Sequence, residues 1–371
     1  MKLHLKYSLI PALVFTAGGA YAAEIYNKEG HKLELNGTLA GVHYFKSDNS
    51  NSDQSYMRLG FLGETQINSQ LTGYAQWQHQ AQLDRGEKDE ARESTTRLGF
   101  VGLKFAHYGS FDYGRNWGVL YDVLSYTDKL PEFGGDAFGV DDYMSQRASN
   151  LATYRNKGFF GLVDGLDVAL QYQGVNTPGK KDSKGRADHA ANGSGYGMSI
   201  EYDLGRGFKA AGAFSSSGRS DGQKKMEYGS GDGRVNAYSG ALKYSDKNLY
   251  LAMMYTQSYN LAQFGDFKKS ESDKISGFAH KAQTLEMVAQ YLFDFSLTPS
   301  LAYIQTMASD IEKYGRQDLR KYIDIGAAYN FNKNMAAHID YKINLLSGNT
   351  FTDRAQIKRD NTAAVGLTYQ F

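Results

Sequence analysis

Enzyme chemistry needs nucleophiles, acid–base pairs or metal ligands within reach of one another, and this chain is poor in such sets. It has no cysteine, which removes thiol nucleophiles, zinc–thiolate centres and thiol redox couples. Beyond the first 22 residues the histidines are His31, His43, His79, His107, His189, His280 and His338, and no HExxH occurs among them. His338 and Asp340 stand two apart and would share one face of a strand. A Ser–His–acid site could start from such a pair, but so could the ordinary polarity of a wetted wall. The clusters GSGYG and GSGDG read as turn glycines, because no helix follows either of them to hold a phosphate. No catalytic residue, metal or cofactor is expected.

Fixed charge is what the chain does carry in suggestive places. Arg58 sits in YMRLGF, Arg97 in TTRLGF, and Arg147 and Arg155 lie eight apart in QRASNLATYRN. Between GSFDYGRN and QRASNLATYR runs WGVLYDVLSYTDKLPEFGGDAFGVDDYMS, with the acids Asp128, Glu132, Asp136, Asp141 and Asp142. Leu120, Val123, Leu124, Phe133 and Phe138 in the same stretch suit a segment folded back against a wall rather than an exposed loop. Acids on one side facing arginines on the other would create a transverse field. Two unit charges ~8 Å apart interact by about 0.5 kcal/mol in bulk water and ~2 kcal/mol at an effective dielectric of 20. Such a field orients confined water and sorts solutes by polarity and charge, with no bond made or broken.

Strands must position these charges, because the chain alternates nearly everywhere. NMAAHIDYKINL sets Met335, Ala337, Ile339, Tyr341 and Ile343 against His338, Asp340, Lys342 and Asn344, and NLYLAMMYTQ and GLDVALQYQG behave alike. This period-2 pattern recurs in sixteen segments, near 31–46, 55–67, 71–83, 95–108, 109–116, 147–157, 165–175, 195–204, 207–217, 233–246, 248–259, 280–294, 296–308, 320–331, 334–346 and 361–371. Each is about the ~9–11 residues that cross a bilayer as a tilted strand. Connectors are short (SDKN, FNKN, LGRG, INSQ) or long and polar (KSDNSNSDQS, DRGEKDEARES, SGNTFTDRAQIKRD). Short turns at one end and long loops at the other predict an all-β, 16-stranded antiparallel transmembrane barrel. Parity then turns Arg58 and Arg97 inward, since arginine facing lipid at mid-membrane costs ~2–4 kcal/mol. Arg147 and Arg155 share a face if no bulge intervenes.

Composition agrees. Aromatics are 13% of residues, with 28 tyrosines against 2 tryptophans, and only 4 prolines interrupt ladders in 371 residues. Net charge is +1 at pH 7, so no basic excess points to nucleic acid. Lys2 and Lys6, the apolar stretch Leu9 to Gly19 and the small-x-small triplet Ala20-Tyr21-Ala22 read as a cleaved export signal. The expected division is residues 1–22 as signal peptide and 23–371 as barrel domain.

AEIYNKEG, RLGFLGETQIN, LTGYAQW, GSFDYGRN, YTDKLPEFGGD, ATYRN, FFGLVDGLD, VAQYLFDF, FNKNM and the terminal YQF resemble the general diffusion porins of the Gram-negative outer membrane, of the enterobacterial osmoporin and phosphoporin type. The likeness spans the whole chain after the signal. It implies a homotrimer of 16-stranded barrels, each narrowed by an inward-folded third external loop. It assigns Asp128 and Glu132 to the acidic side of the constriction, Arg58, Arg97 and Arg147 to the basic wall with Arg155 nearby, and Tyr121 to its lining. It also implies outer-membrane lipids including lipopolysaccharide as neighbours, and long loops that are candidates for phage or toxin binding. Phe371 would be the terminal aromatic read by the outer-membrane assembly machinery.

The chain departs from this family at LNGT, where relatives carry LYGK, so Asn36 and Thr38 replace Tyr and Lys. Thr95 and Gln146 stand where some relatives place further lysines. The resemblance implies passive diffusion of small hydrophilic solutes and ions through a water-filled channel, and the thinner basic wall predicts a weak preference for cations. The rival readings are a ligand-specific channel and an outer-membrane barrel enzyme. The signal reading has a direct check: intact mass of the outer-membrane protein should place Ala23 first, and a chain retaining Tyr21 would contradict it.

Overall fold

In a bilayer no strand can leave an edge bare or a backbone amide unpaired; the chain meets both demands by closing on itself. The computed structural model describes residues 23–84, 86, 94–179, 186–267 and 273–371; the expected signal lies outside them. Its barrel strands are β1 (His31–Lys46), β2 (Tyr56–Gln66), β3 (Leu71–Gln82), β4 (Ser94–Phe105), β5 (Ser110–Trp117), β6 (Arg147–Asn156), β7 (Leu166–Gln173), β8 (Gly195–Gly205), β9 (Phe208–Ser217), β10 (Val235–Asp246), β11 (Leu249–Tyr259), β12 (Lys281–Tyr291), β13 (Leu297–Ile311), β14 (Gly315–Asn330), β15 (Met335–Asn344) and β16 (Thr362–Gln370). Each pairs antiparallel with the next, and β16 returns to β1 with Val365 opposite His43 and Tyr369 opposite Leu39. The sixteen expected segments each meet one strand.

Two differences have local causes. β13 and β14 run past their expected ends, through register shifts near Thr306 and beyond Ala308, to Ile311 and Gly315. A short strand that alternation did not announce, Ala23–Lys28, pairs with the start of β1, Lys28 opposite His31. All six of its residues are exposed, so no buried face imposed a period on its sequence.

The faces are inverted relative to a water-soluble sheet. Along β11, Leu249, Leu251, Met253 and Tyr255 are exposed while Tyr250, Ala252, Met254 and Thr256 are buried. Apolar side chains point outward to lipid, and small or polar ones point in. Rings cluster at two levels. Near the short turns lie Phe208–Tyr244, Tyr291–Phe293 and Tyr329–Phe331, with ring centroids 4.7, 4.9 and 5.1 Å apart. Near the long loops lie Tyr196–Phe214 and Phe214–Tyr238, at 6.1 and 5.1 Å. Amphipathic rings collect at the two membrane–water interfaces.

Two apolar clusters hold the connector between β5 and β6 against inward-facing strand residues. Leu120, Val123, Leu124, Phe138 and Tyr143 pack with Val235, Ala237 and Met254, and Tyr126 and Leu130 with Tyr250, Val288, Ile304 and Tyr322. Burying each such side chain contributes ~1.5–3 kcal/mol, which is what an exposed loop would forgo. A third cluster ties the long loops to one another through Tyr228, Phe264, Ile275, Ile311, Leu319 and Phe351.

Closure is completed by the last residue. Phe371 and Gly37 exchange both backbone hydrogen bonds, Gly37 N to Phe371 O at 2.9 Å and Phe371 N to Gly37 O at 3.1 Å. The Phe371 ring then lies over Gly37 so closely that a Cβ there would stand 2.2 Å from its Cζ. Glycine in β1 is therefore a seat for the terminal ring. Gly37→Val should lower the unfolding free energy by ~1–3 kcal/mol through overpacking. Phe371→Ala should remove most of that penalty, so urea unfolding of the two single variants and the double variant should be strongly non-additive. Additive losses would mean that the ring does not occupy this seat.

Candidate functional site

The alternation of β1, β2 and β4 turns Thr38, Arg58 and Arg97 into the barrel, and Thr38 stands directly opposite Arg58. Glutamines from β3 hold the guanidinium groups. Arg58 donates to Gln80 Oε1 from Nε at 3.2 Å and from Nη2 at 2.9 Å. Arg97 donates to Gln78 at 2.9 Å and to Gln80 at 3.3 Å. Arg147 enters from the start of β6, its guanidinium 4.8 Å from the Trp117 ring centre. Arg58, Arg97 and Arg147 lie near enough for each to feel a neighbouring positive charge. Holding like charges together costs energy, and acids across the lumen offset it.

Those acids come from the β5–β6 connector. A cavity of about 330 Å³ is lined by Thr38, Arg58 and Arg97 on the wall and by Asp128 and Glu132 on the connector. Asp128 accepts from the Tyr121 hydroxyl at 2.7 Å, and Tyr121 stacks on Trp117 at 3.8 Å, so ring, acid and arginine form one packed unit. The PEFGG stretch shapes it. Gly135 has φ +58°, and a Cβ there would stand 2.5 Å from Asp128 Oδ1. Glu132 accepts from the Tyr44 hydroxyl and faces His338 Nε2 at 3.4 Å.

The remaining acids have other partners. Asp136 accepts from the Tyr322 hydroxyl at 2.8 Å and lies 3.8 Å from Lys342. Asp141 pairs with Arg115 at 2.6 Å and with Arg186 at 3.1 Å. Asp142 is buried, which pushes its carboxyl up to about 7. The condition placed on Arg155 also fails: a bulge intervenes. Asn150 has φ +64°, and the β5–β6 register shifts between Gly114 and Asn116. Arg155 pairs with Asp122 at 2.8 Å rather than joining Arg147.

The roles of four residues here escaped sequence reading. Gln78 and Gln80 clamp the arginines, and alternation alone marks them only as polar wall. Asp340 is fully buried, and its Oδ2 accepts from the backbone amides of Glu132 at 2.9 Å and Phe133 at 3.0 Å. His338 and Asp340 do face the same way, but each serves the connector. Lys129 lies between the two site acids and is only 9% exposed. No spacing rule separates such a lysine from a surface one.

An amide that loses its acceptor costs ~1–3 kcal/mol when fully buried, and those of Glu132 and Phe133 are part-buried. Asp340→Ala strands two at the connector. Single-channel recordings of this variant should show increased open-state current noise, and limited proteolysis should cut within 130–136 more readily; traces as quiet as the native protein's would remove Asp340 from this role.

Comparison with known proteins accords with this geometry. The model of the Gram-negative porin family matches residues 28–371. The chain is 53% identical to outer membrane porin C of Serratia marcescens and 48% identical to outer membrane porin N of Escherichia coli K12, in both cases across 100% of each chain. Among solved structures it is similar to OmpF of Salmonella typhi in complex with daunomycin, with 42% identity, a TM-score of 0.85, and coverage of 94% of this chain and 100% of that one. A closed sixteen-stranded barrel with a lipid-facing apolar exterior and this match along nearly its full length place the chain in the Gram-negative porin family.

Proposed function

We propose that the β5–β6 connector is the constriction of a water-filled channel and that its charge balance gives a weak preference for cations. As an outer-membrane porin the chain passes small hydrophilic solutes and ions by passive diffusion, and it is a channel rather than an enzyme. The observation that carries the constriction reading is the shared cavity in which Asp128 and Glu132 face Arg58 and Arg97. Water there is oriented between opposite charges. A polar solute exchanges it for wall contacts; an apolar solute disrupts it without return. Many weak contacts let an ion enter without being trapped.

Preference follows from the count of charges near the narrowing. Thr38 places a neutral hydroxyl opposite Arg58, where a lysine would add repulsion to the cluster. Arg155 is neutralised by Asp122, so the wall acts through Arg58, Arg97 and Arg147.

The reading extends to assembly. His43 and His79 point outward among apolar neighbours, His43 beside Phe45 at 4.7 Å and His79 stacked on Trp77 at 5.5 Å. Polar rings on a lipid-facing wall are costly, and a second protein surface suits them better. This supports a homotrimer packed through the side of the barrel that holds β1 and β3. Residues 1–22 act as the cleaved export signal, Phe371 as the residue recognised by the assembly machinery, and lipopolysaccharide surrounds the outer half of the remaining wall. The long loops are the surface open to phage or toxins.

One planar-bilayer experiment tests the core of this. Current should close in three equal steps, and reversal potential across a tenfold potassium chloride gradient should favour potassium weakly. Thr38→Lys and Asp128→Asn should each move it toward chloride, by an amount that shrinks as salt rises. A chloride-preferring native channel, or no movement in either variant, would refute the constriction as drawn.

A further inference from the structure

Between the two acids of the connector stands a cation that the opposed-charge picture leaves out. The main chain of Lys129 is fixed on both sides: its amide donates to Thr127 O at 2.9 Å, and its carbonyl accepts from Gln290 Nε2 at 2.7 Å. Asp128 and Leu130 line the cavity shared with the arginines, while Lys129 does not. Its ammonium interacts with Asp128 and with Lys243 of β10.

That side of the connector has its own charge cluster. Lys243 Nζ lies 3.8 Å from the Tyr126 ring centre and 3.7 Å from Glu201 Oε2. Lys209 of β9 lies 3.3 Å from Glu201 Oε1 and 3.8 Å from Asp203. The Tyr126 hydroxyl donates to the same Glu201. Glu201 is thus shared by two lysines and a tyrosine, and Lys129 has no ion-pair partner among the described residues.

We propose that Lys129 is a selectivity-determining residue of the channel, its ammonium forming with Lys243 and Lys209 a cationic station in series with the arginine wall and subtracting from the field of Asp128 and Glu132. The inference rests on the connector being the constriction. A charge sheltered from water is screened less than an exposed one, so a single lysine here weighs against two acids.

The same burial makes the charge pH-sensitive. It pulls the Lys129 ammonium down to about 8. The charge is present at neutral pH and leaves as pH rises through that value, so the channel gains cation preference on the alkaline side. The charged groups that act on it are Asp128 on the connector and Lys243 from β10; the elements packed around this stretch add Glu201 and Lys209 from β8 and β9, which pair with each other, Tyr250 from β11, which donates to Tyr126 O, and Glu286 from β12, which accepts from Thr127.

The test measures reversal potential for the native trimer and for Lys129→Gln, Lys129→Arg and Asp128→Asn, at pH 7 and pH 9 in low salt. Lys129→Gln should raise the potassium-over-chloride permeability ratio about twofold at pH 7 and should change between pH 7 and pH 9 no more than Lys129→Arg does. Asp142 ionises further over this range in every variant, so Lys129→Arg should rise only by that shared amount, while the native channel rises further and approaches the Lys129→Gln value at pH 9. An unchanged ratio in Lys129→Gln, or an equal rise in native and Lys129→Arg between the two pH values, overturns the proposal. If Asp128→Asn shifts toward chloride while Lys129→Gln does not move, the constriction stands and only the role of Lys129 falls; if neither moves, both fall. Should Lys129→Gln assemble poorly, the pH comparison between native and Lys129→Arg decides alone.

Discussion

Every backbone amide and carbonyl within a bilayer must find its partner in the protein, since lipid supplies none. The rest of this structure follows from that obligation. It forces sixteen strands into a closed ladder and makes Phe371 pair with Gly37. It also turns the usual core inside out. Once the ladder is satisfied, apolar side chains are free to face lipid, and the enclosed space is left to polar groups and water.

That enclosed space is too wide for wall side chains alone to fill, and the β5–β6 connector packs into part of it. It is held by three unlike means. Apolar contacts with β10 to β14 provide most of the burial. Wall residues reach in with hydrogen bonds, as Tyr250 does to Tyr126 O at 2.6 Å and Asp340 does to two amides. Ion pairs such as Arg155–Asp122 fix the segment's start. Only after these attachments are counted do Asp128 and Glu132 remain facing the arginines. Position, rather than the number of acids in the segment, decides which of them share a cavity with the arginines.

Most of the fold was legible because its main physical demand is periodic. Leu249, Leu251, Met253 and Tyr255 alternate for the same reason that they lie in lipid, and every barrel strand carries that mark. Arg58 and Arg97 were legible by parity within such strands. What spacing could not show for Arg155 is its pairing with Asp122 of the connector and the bulge at Asn150, φ +64°, that separates it from Arg147. Asp141 and Asp142 looked like lumen charges, yet one is paired with Arg115 and the other is buried; such partners are set by folding, not by spacing. Gln78, Gln80, Asp340 and Lys129 matter through contacts between segments distant along the chain. The Ala23–Lys28 strand stayed hidden because it has no buried face to pattern.

The apolar knot at the rim of the barrel has a consequence for what the outside world meets. Tyr228, Phe264, Ile275 and Phe351 from three connectors and Ile311 at the end of β13 belong to four different hairpins, yet they pack as one body. The surface above them is therefore a mosaic, in which neighbouring patches belong to stretches of chain many residues apart. An antibody raised on a single-loop peptide would see a shape that the assembled rim does not present. A change in the apolar underside of one loop would likewise alter the antigenic face of its neighbours while leaving their own sequences untouched.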